Sequence, residues 1–157
     1  MNESKIYDKF EGYNAYPLGT AEQMVRRKLL VLFEKIINKN ETCLIKARDK
    51  GMEKLMSRIL AVKKRMERIQ KVMSHTDPGA EFKFEPLSPA DVSALKEVDG
   101  KLENVIQQCI RGIESLTCME TDMFINRRFA VMDDSLREIE RLFHNRMKVF
   151  KKNRIYG

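Results

Sequence analysis

Proline is absent from two long stretches of this chain, residues 18 to 77 and residues 90 to 157. Proline removes a helix hydrogen bond and clashes with the preceding turn, so each stretch is free to be helical throughout. Within both stretches apolar residues recur at alternating intervals of three and four. The first holds Leu30, Phe33, Ile37 and Leu44, with polar Asn40 where a core residue is expected. It continues, shifted by one residue, as Met52, Leu55, Ile59, Val62, Met66, Ile69 and Met73. The second holds Leu95, Val98, Leu102, Val105, Cys109, Gly112, Leu116, Met119 and Met123, then Met132, Leu136, Ile139, Phe143 and Phe150, with Arg146 as a gap. Such stripes are the seams of helices packed lengthwise on other helices. The phase slips fall near residues 47–51 and 126–132, and each implies altered winding, a kink or a break.

Local signals place the helix starts. Thr20-Ala21-Glu22-Gln23 has the form of a capping box. Ser88 reads as an N-cap, with Pro89 at the first helical position, Asp91 near the positive helix end, and a Leu87–Val92 staple. Asp77-Pro78-Gly79 marks a turn between them. The reading is all-α. It gives an N-terminal aromatic arm at 1–19 (Tyr7, Phe10, Tyr13, Tyr16), a helix at 20–75, a loop at 76–87 and a helix at 88–153. Two architectures fit. One is an antiparallel hairpin of two long coiled-coil-like helices, each roughly 80–100 Å at 1.5 Å per residue. The other breaks each helix at its slip to form a compact bundle of about four helices. The missing prolines favour the hairpin.

Charge and composition narrow the function. The formal charge is +7 and the sequence pI about 9.4, which attracts acidic partners. The cations are interleaved with Asp and Glu, as on a solvated helix face, so nucleic acid is not the favoured partner. Cys43, Cys109 and Cys118 are odd in number with no CxxC spacing, which argues against a disulfide framework or zinc site. Residues 1–14 are polar and no stretch approaches 18 apolar residues, so the expectation is a cytoplasmic protein with no membrane span.

Sequence signatures of catalysis are missing. There is no GxGxxG, GxxxxGK[ST] or GxSxG. The two histidines are His75, at a helix end where a cation suits the dipole, and His144, four residues after Glu140. No Glu-x-x-His pair of the kind that builds di-iron bundles occurs. Neither a catalytic residue, a cofactor nor a metal is expected, and the chain reads as a non-enzymatic binding protein.

The long helix from Leu29-Leu30-Val31-Leu32-Phe33 to Met73, the second from Ser88, the Asn126, Leu136 and Ile139 pattern and the Tyr156-Gly157 ending resemble the FlgN-like family of flagellar export chaperones. Tyr13-Asn14-Ala15-Tyr16 followed by Thr20-Ala21 is also similar to the start of flagellin chaperones. The resemblance implies a small cytoplasmic helical protein that holds a secreted subunit before export. Its mechanism would be helix-in-groove binding of an amphipathic client segment. The adaptable anchors would be Met119, Met123, Phe124, Phe129, Met132, Phe143 and Phe150. A basic contact patch would be Arg146, Lys148, Lys151, Lys152 and Arg154. The alternative is a coiled-coil assembly subunit of a larger complex, which could pair as a homodimer along the stripe. A nucleic-acid-binding helical protein ranks third.

Overall fold

Gly51 ends the first helix. It adopts φ +66°, the left-handed region that side chains disfavour. Around it the Met52 amide donates to the Ala47 carbonyl at 2.9 Å and the Gly51 amide to the Arg48 carbonyl at 3.0 Å. This is the Schellman arrangement, which satisfies carbonyls left open at a helix end. Lys46 and Arg48 in the last turn complement the negative end of the dipole, and Glu53 opens the next helix at its positive end. The structure, a computed structural model, describes residues 18–75, 88–115 and 122–152. These form four helices: α1 (Leu18–Asp49), α2 (Glu53–His75), α3 (Pro89–Glu114) and α4 (Asp122–Lys152).

The compact alternative therefore holds, and the hairpin of two long helices does not. The expected helices at 20–75 and 88–153 are each two. The first slip marks a true break at residues 50–52, because Gly51 supplies a helix stop that proline counting misses. The second slip is misplaced: α4 runs unbroken through 126–132. The chain instead leaves α3 after Glu114, where the Ser115 amide donates to the Arg111 carbonyl at 3.0 Å. The buried residues of α4 recur regularly from Phe129, so no change of phase falls within the helix after that residue. At its start α1 includes Leu18 and Gly19, ahead of the expected Thr20 start, a difference of the size by which helix ends fray. Ser88 caps α3 as expected, its hydroxyl accepting from the Asp91 amide at 3.1 Å. The arm as far as residue 17, the 76–87 connection with Leu87, and Cys118 lie outside the described residues.

The helices pack as a square. α1 and α2 form one antiparallel pair and α3 and α4 the other. The remaining sides are α1 on α3 and α2 on α4, each parallel. Register follows from cross-helix contacts. Asn40 meets Ile59, Lys39 meets Glu114, Arg65 meets Asp133 and Arg68 meets Glu140. A helix with two neighbours needs a wider apolar face than a hairpin seam. α3 accordingly buries Leu95, Leu102, Ile106, Cys109, Ile110 and Ile113. In α1 the deepest row is Val25, Leu29, Phe33, Ile36 and Ala47, while Leu30, Ile37 and Leu44 are half-buried.

One end of the core is built on charge. Arg146 is fully buried. Its Nε donates to Asp99 Oδ1 of α3 at 2.7 Å and its Nη1 to Glu22 Oε1 of α1 at 2.8 Å. Arg26 Nε lies 3.4 Å from the same Glu22 oxygen. Phe143 and Phe150, one turn away on either side, put their ring centroids 5.8 and 5.1 Å from the guanidinium carbon. That distance allows a cation–π attraction. Arg146 is therefore no gap in the stripe and contributes nothing to a surface patch. A lone buried charge is far costlier than a paired one.

Two outcomes check this architecture. Gly51→Ala is expected to lower stability by about 1 kcal/mol, read from the urea midpoint, because its strain is conformational rather than a clash. Arg146→Met is expected to cost about 3–5 kcal/mol. Adding Glu22→Leu and Asp99→Leu to it should recover most of that loss, since neither carboxylate is then buried without the guanidinium. A small loss in the single variant, or no recovery in the triple, would contradict the cluster.

Candidate functional site

The first half of α4 faces outward more than its apolar sequence suggests. Of the seven expected client anchors, Phe129, Met132, Phe143 and Phe150 are core residues, each no more than 5% exposed. Phe124 is the one described anchor on the surface, at 53%. Met119 and the side chain of Met123 lie outside the described residues. Of the expected basic patch, Arg146 is buried and Lys148 is exposed. The side chains of Lys151 and Lys152, and Arg154, lie outside the described residues. The anchors thus do not assemble into one face, because most are spent on the core.

A different group does come together. Val131, seven residues after Phe124, projects from the same side of α4 and is 66% exposed. Beside it a depression of about 250 Å³ opens between α3 and α4. Cys109 and Gly112 of α3 and Met132 and Ser135 of α4 line it, and Arg127 and Arg128 stand at its edge. Gly112 makes the space: a methyl group placed on it meets nothing within 4 Å. Arg128 also closes the end of α3. Its Nη1 donates to the Ser115 hydroxyl at 2.6 Å, and that hydroxyl donates to the Gly112 carbonyl at 3.0 Å. The depression is therefore bounded by a hydrogen-bonded helix end.

Sequence reading placed Gly112 on the stripe without seeing that a glycine there leaves a hole. Val131 lies off the stripe and so has no place in that pattern. An apolar residue off the stripe, opposite a glycine on it, was the available signal.

The other side of α4 faces a second opening. α2 and α4 make the loosest side of the square, and α2 carries seven Lys or Arg against two Glu. Two depressions of about 540 and 700 Å³ lie along it. Arg58 and Asn126 line both, so they form one trough. Arg65–Asp133 at 2.6 Å and Arg68–Glu140 at 3.4 Å bridge it at one end.

The titratable groups offer little reactivity. Burial raises the Cys109 thiol to about 11, against a smaller opposing effect of a hydrogen bond with Ser135. At neutral pH it stays protonated and behaves as a small apolar side chain. Cys43 is half-buried, its sulfur 4.0 Å from the Ile113 carbonyl. His144 is exposed, and Glu140 beside it is engaged by Arg68. Among the described residues no group of three or more His, Cys, Asp or Glu is placed to hold a metal, and no helix is long and apolar enough to cross a membrane. No known family, curated protein or solved structure matches this chain. The fold and site define a four-helix bundle with an apolar depression on one side of α4 and a basic trough on the other.

The Cys109 environment sets an alkaline limit. Its folded thiol titrates above the unfolded one, so the stability it contributes is present below the unfolded value and is lost as pH rises toward about 11. Wild type should lose stability more steeply than Cys109→Ala between about pH 8.5 and 11, followed by urea unfolding. Parallel profiles would place the thiol in water instead.

Proposed function

We propose that this chain is a non-enzymatic protein-binding protein, an export chaperone or adaptor of the cytoplasm that holds an amphipathic helix of a client. One observation carries the reading. Exposed Val131 lines an apolar depression that Gly112 leaves unfilled, on the outside of a core already closed, and exposed Phe124 stands seven residues earlier on the same side of α4. An apolar client side chain seated there would pack against Cys109, Gly112, Val131 and Met132, the form that anchor residues take in helix recognition. Arg127 and Arg128 at the edge favour a client helix with carboxylates flanking its anchor. The resemblance to flagellar export chaperones supports a secreted subunit as that client.

The assembly-subunit reading loses its main support. Among the described residues the stripes are covered by one another within a single chain, so burying that part of them requires no second copy.

The test combines capture with two variants. Gly112→Ala should stabilise the helix by about 0.5–1 kcal/mol, and Gly112→Leu should fill the depression. Val131→Asp places a charge at its rim. Tagged wild type captured from native extract should bring down one or two proteins that remain bound at high salt. Purified, those proteins should bind Gly112→Leu and Val131→Asp at least about tenfold more weakly, with thermal melting unchanged or raised for the Gly112 variants. Equal binding by wild type and both variants would sink the proposal.

A further inference from the structure

We propose that the trough between α2 and α4 is a second docking surface, and that it receives an acidic amphipathic helix of a partner protein. It shares with the proposed function only the premise that the chain binds proteins, because it lies on the opposite side of α4 and uses none of the α3–α4 residues.

The shape fits a helix. The trough follows α2 from Gly51 to Arg68, about 25 Å at 1.5 Å per residue, or nearly five turns. Its floor is apolar and low. Val62 and Phe129 close the bottom, while Ala61 and Ala130, both exposed, stand on the two walls. Small residues facing a groove let another helix backbone approach closely.

The charge fits an acidic flank on one side. Arg58, Lys64, Arg65 and Arg68 line the α2 wall. Arg65 and Arg68 are engaged by Asp133 and Glu140. Arg58 and Lys64 are exposed and have no carboxylate partner among the described residues. The α4 wall carries Asn126 and Asp133, and Arg137 lies 3.2 Å from Asp133. Cations on one wall suit a helix whose carboxylates lie along one edge and whose apolar face meets the floor. A nucleic-acid backbone needs cations wherever its phosphates run, gains nothing from an apolar floor, and is repelled by a carboxylate on the second wall.

The probe is a fluorescein-labelled synthetic peptide of about 18 residues, five helical turns, with leucines on one face and glutamates along its edge. Controls are the same peptide with lysines for glutamates, and a duplex DNA of about two turns. Binding to the full chain is followed by fluorescence anisotropy. The acidic peptide should bind saturably and the lysine peptide should not. Arg58→Glu with Lys64→Glu should weaken binding at least about tenfold. Ala61→Trp should do the same by filling the trough without changing charge, with helicity retained in every variant by circular dichroism. Gly112→Leu should leave binding unchanged.

Several results would overturn the proposal: no binding of the acidic peptide, equal binding of the lysine peptide, or indifference to the Arg58, Lys64 and Ala61 changes. Loss on Gly112→Leu would move the peptide to the α3–α4 depression. Tighter binding of the duplex, lost between about 50 and 200 mM salt, would assign the trough to nucleic acid. Peptide binding that survives while capture finds no client sensitive to Gly112→Leu would leave the trough standing and the α3–α4 reading refuted.

Discussion

Arg146 fixes the arrangement on which the rest depends. Its guanidinium lies at one end of the bundle, on α4, and reaches α3 through Asp99 and α1 through Glu22. An ion pair taken out of water adds little net stability, since desolvation offsets most of the attraction. Its effect is on which arrangement can form. Any register that separates Arg146 from both carboxylates leaves charges buried alone, at a cost of several kcal/mol. The second half of α4 is thereby held in place, with Phe143 and Phe150 packed around the same guanidinium.

The first half of α4 is built differently. Phe129 and Met132 anchor it from beneath, while Phe124 and Val131 remain outside. It borders an apolar depression on the α3 side and a basic trough on the α2 side. A helix tied firmly at one end can present two distinct faces at the other without losing its position. A binding protein benefits from such rigidity, because little ordering cost is left for the moment of association. The two faces also differ in chemistry. One offers a notch for a side chain and the other a channel for a whole helix.

Much of the fold was legible in the sequence. The helical class, the Ser88 cap and the α2 row from Leu55 to Met73 follow directly from period and capping chemistry. The choice between hairpin and bundle was also written there, in the width of the stripes. Leu102, Ile106, Cys109, Ile110 and Ile113 cover more than one seam, which a helix with a single neighbour would not need. Gly51 followed Lys46 and Arg48, a helix-stop pattern outweighed by the absence of proline. The site was less legible. Met and Phe suit a core and a binding face equally, so Phe129, Phe143 and Phe150 could not be told from surface anchors by type. Arg146 looked like a surface cation because its partners, Glu22 and Asp99, lie far away along the chain. Only packing brings them together, and no local pattern announces it.

The central claim is that partners engage the two sides of the first half of α4 and leave the outer face of α1 untouched. Site-specific photo-cross-linking tests it most directly. A photoreactive residue is placed in turn at Phe124, Val131, Ala61 and Lys35, the last on the exposed side of α1, in the cell where the protein is native. The account expects discrete adducts from Phe124, Val131 and Ala61 and none from Lys35. Adducts concentrated at Lys35, with the α4 and α2 positions silent, would contradict it.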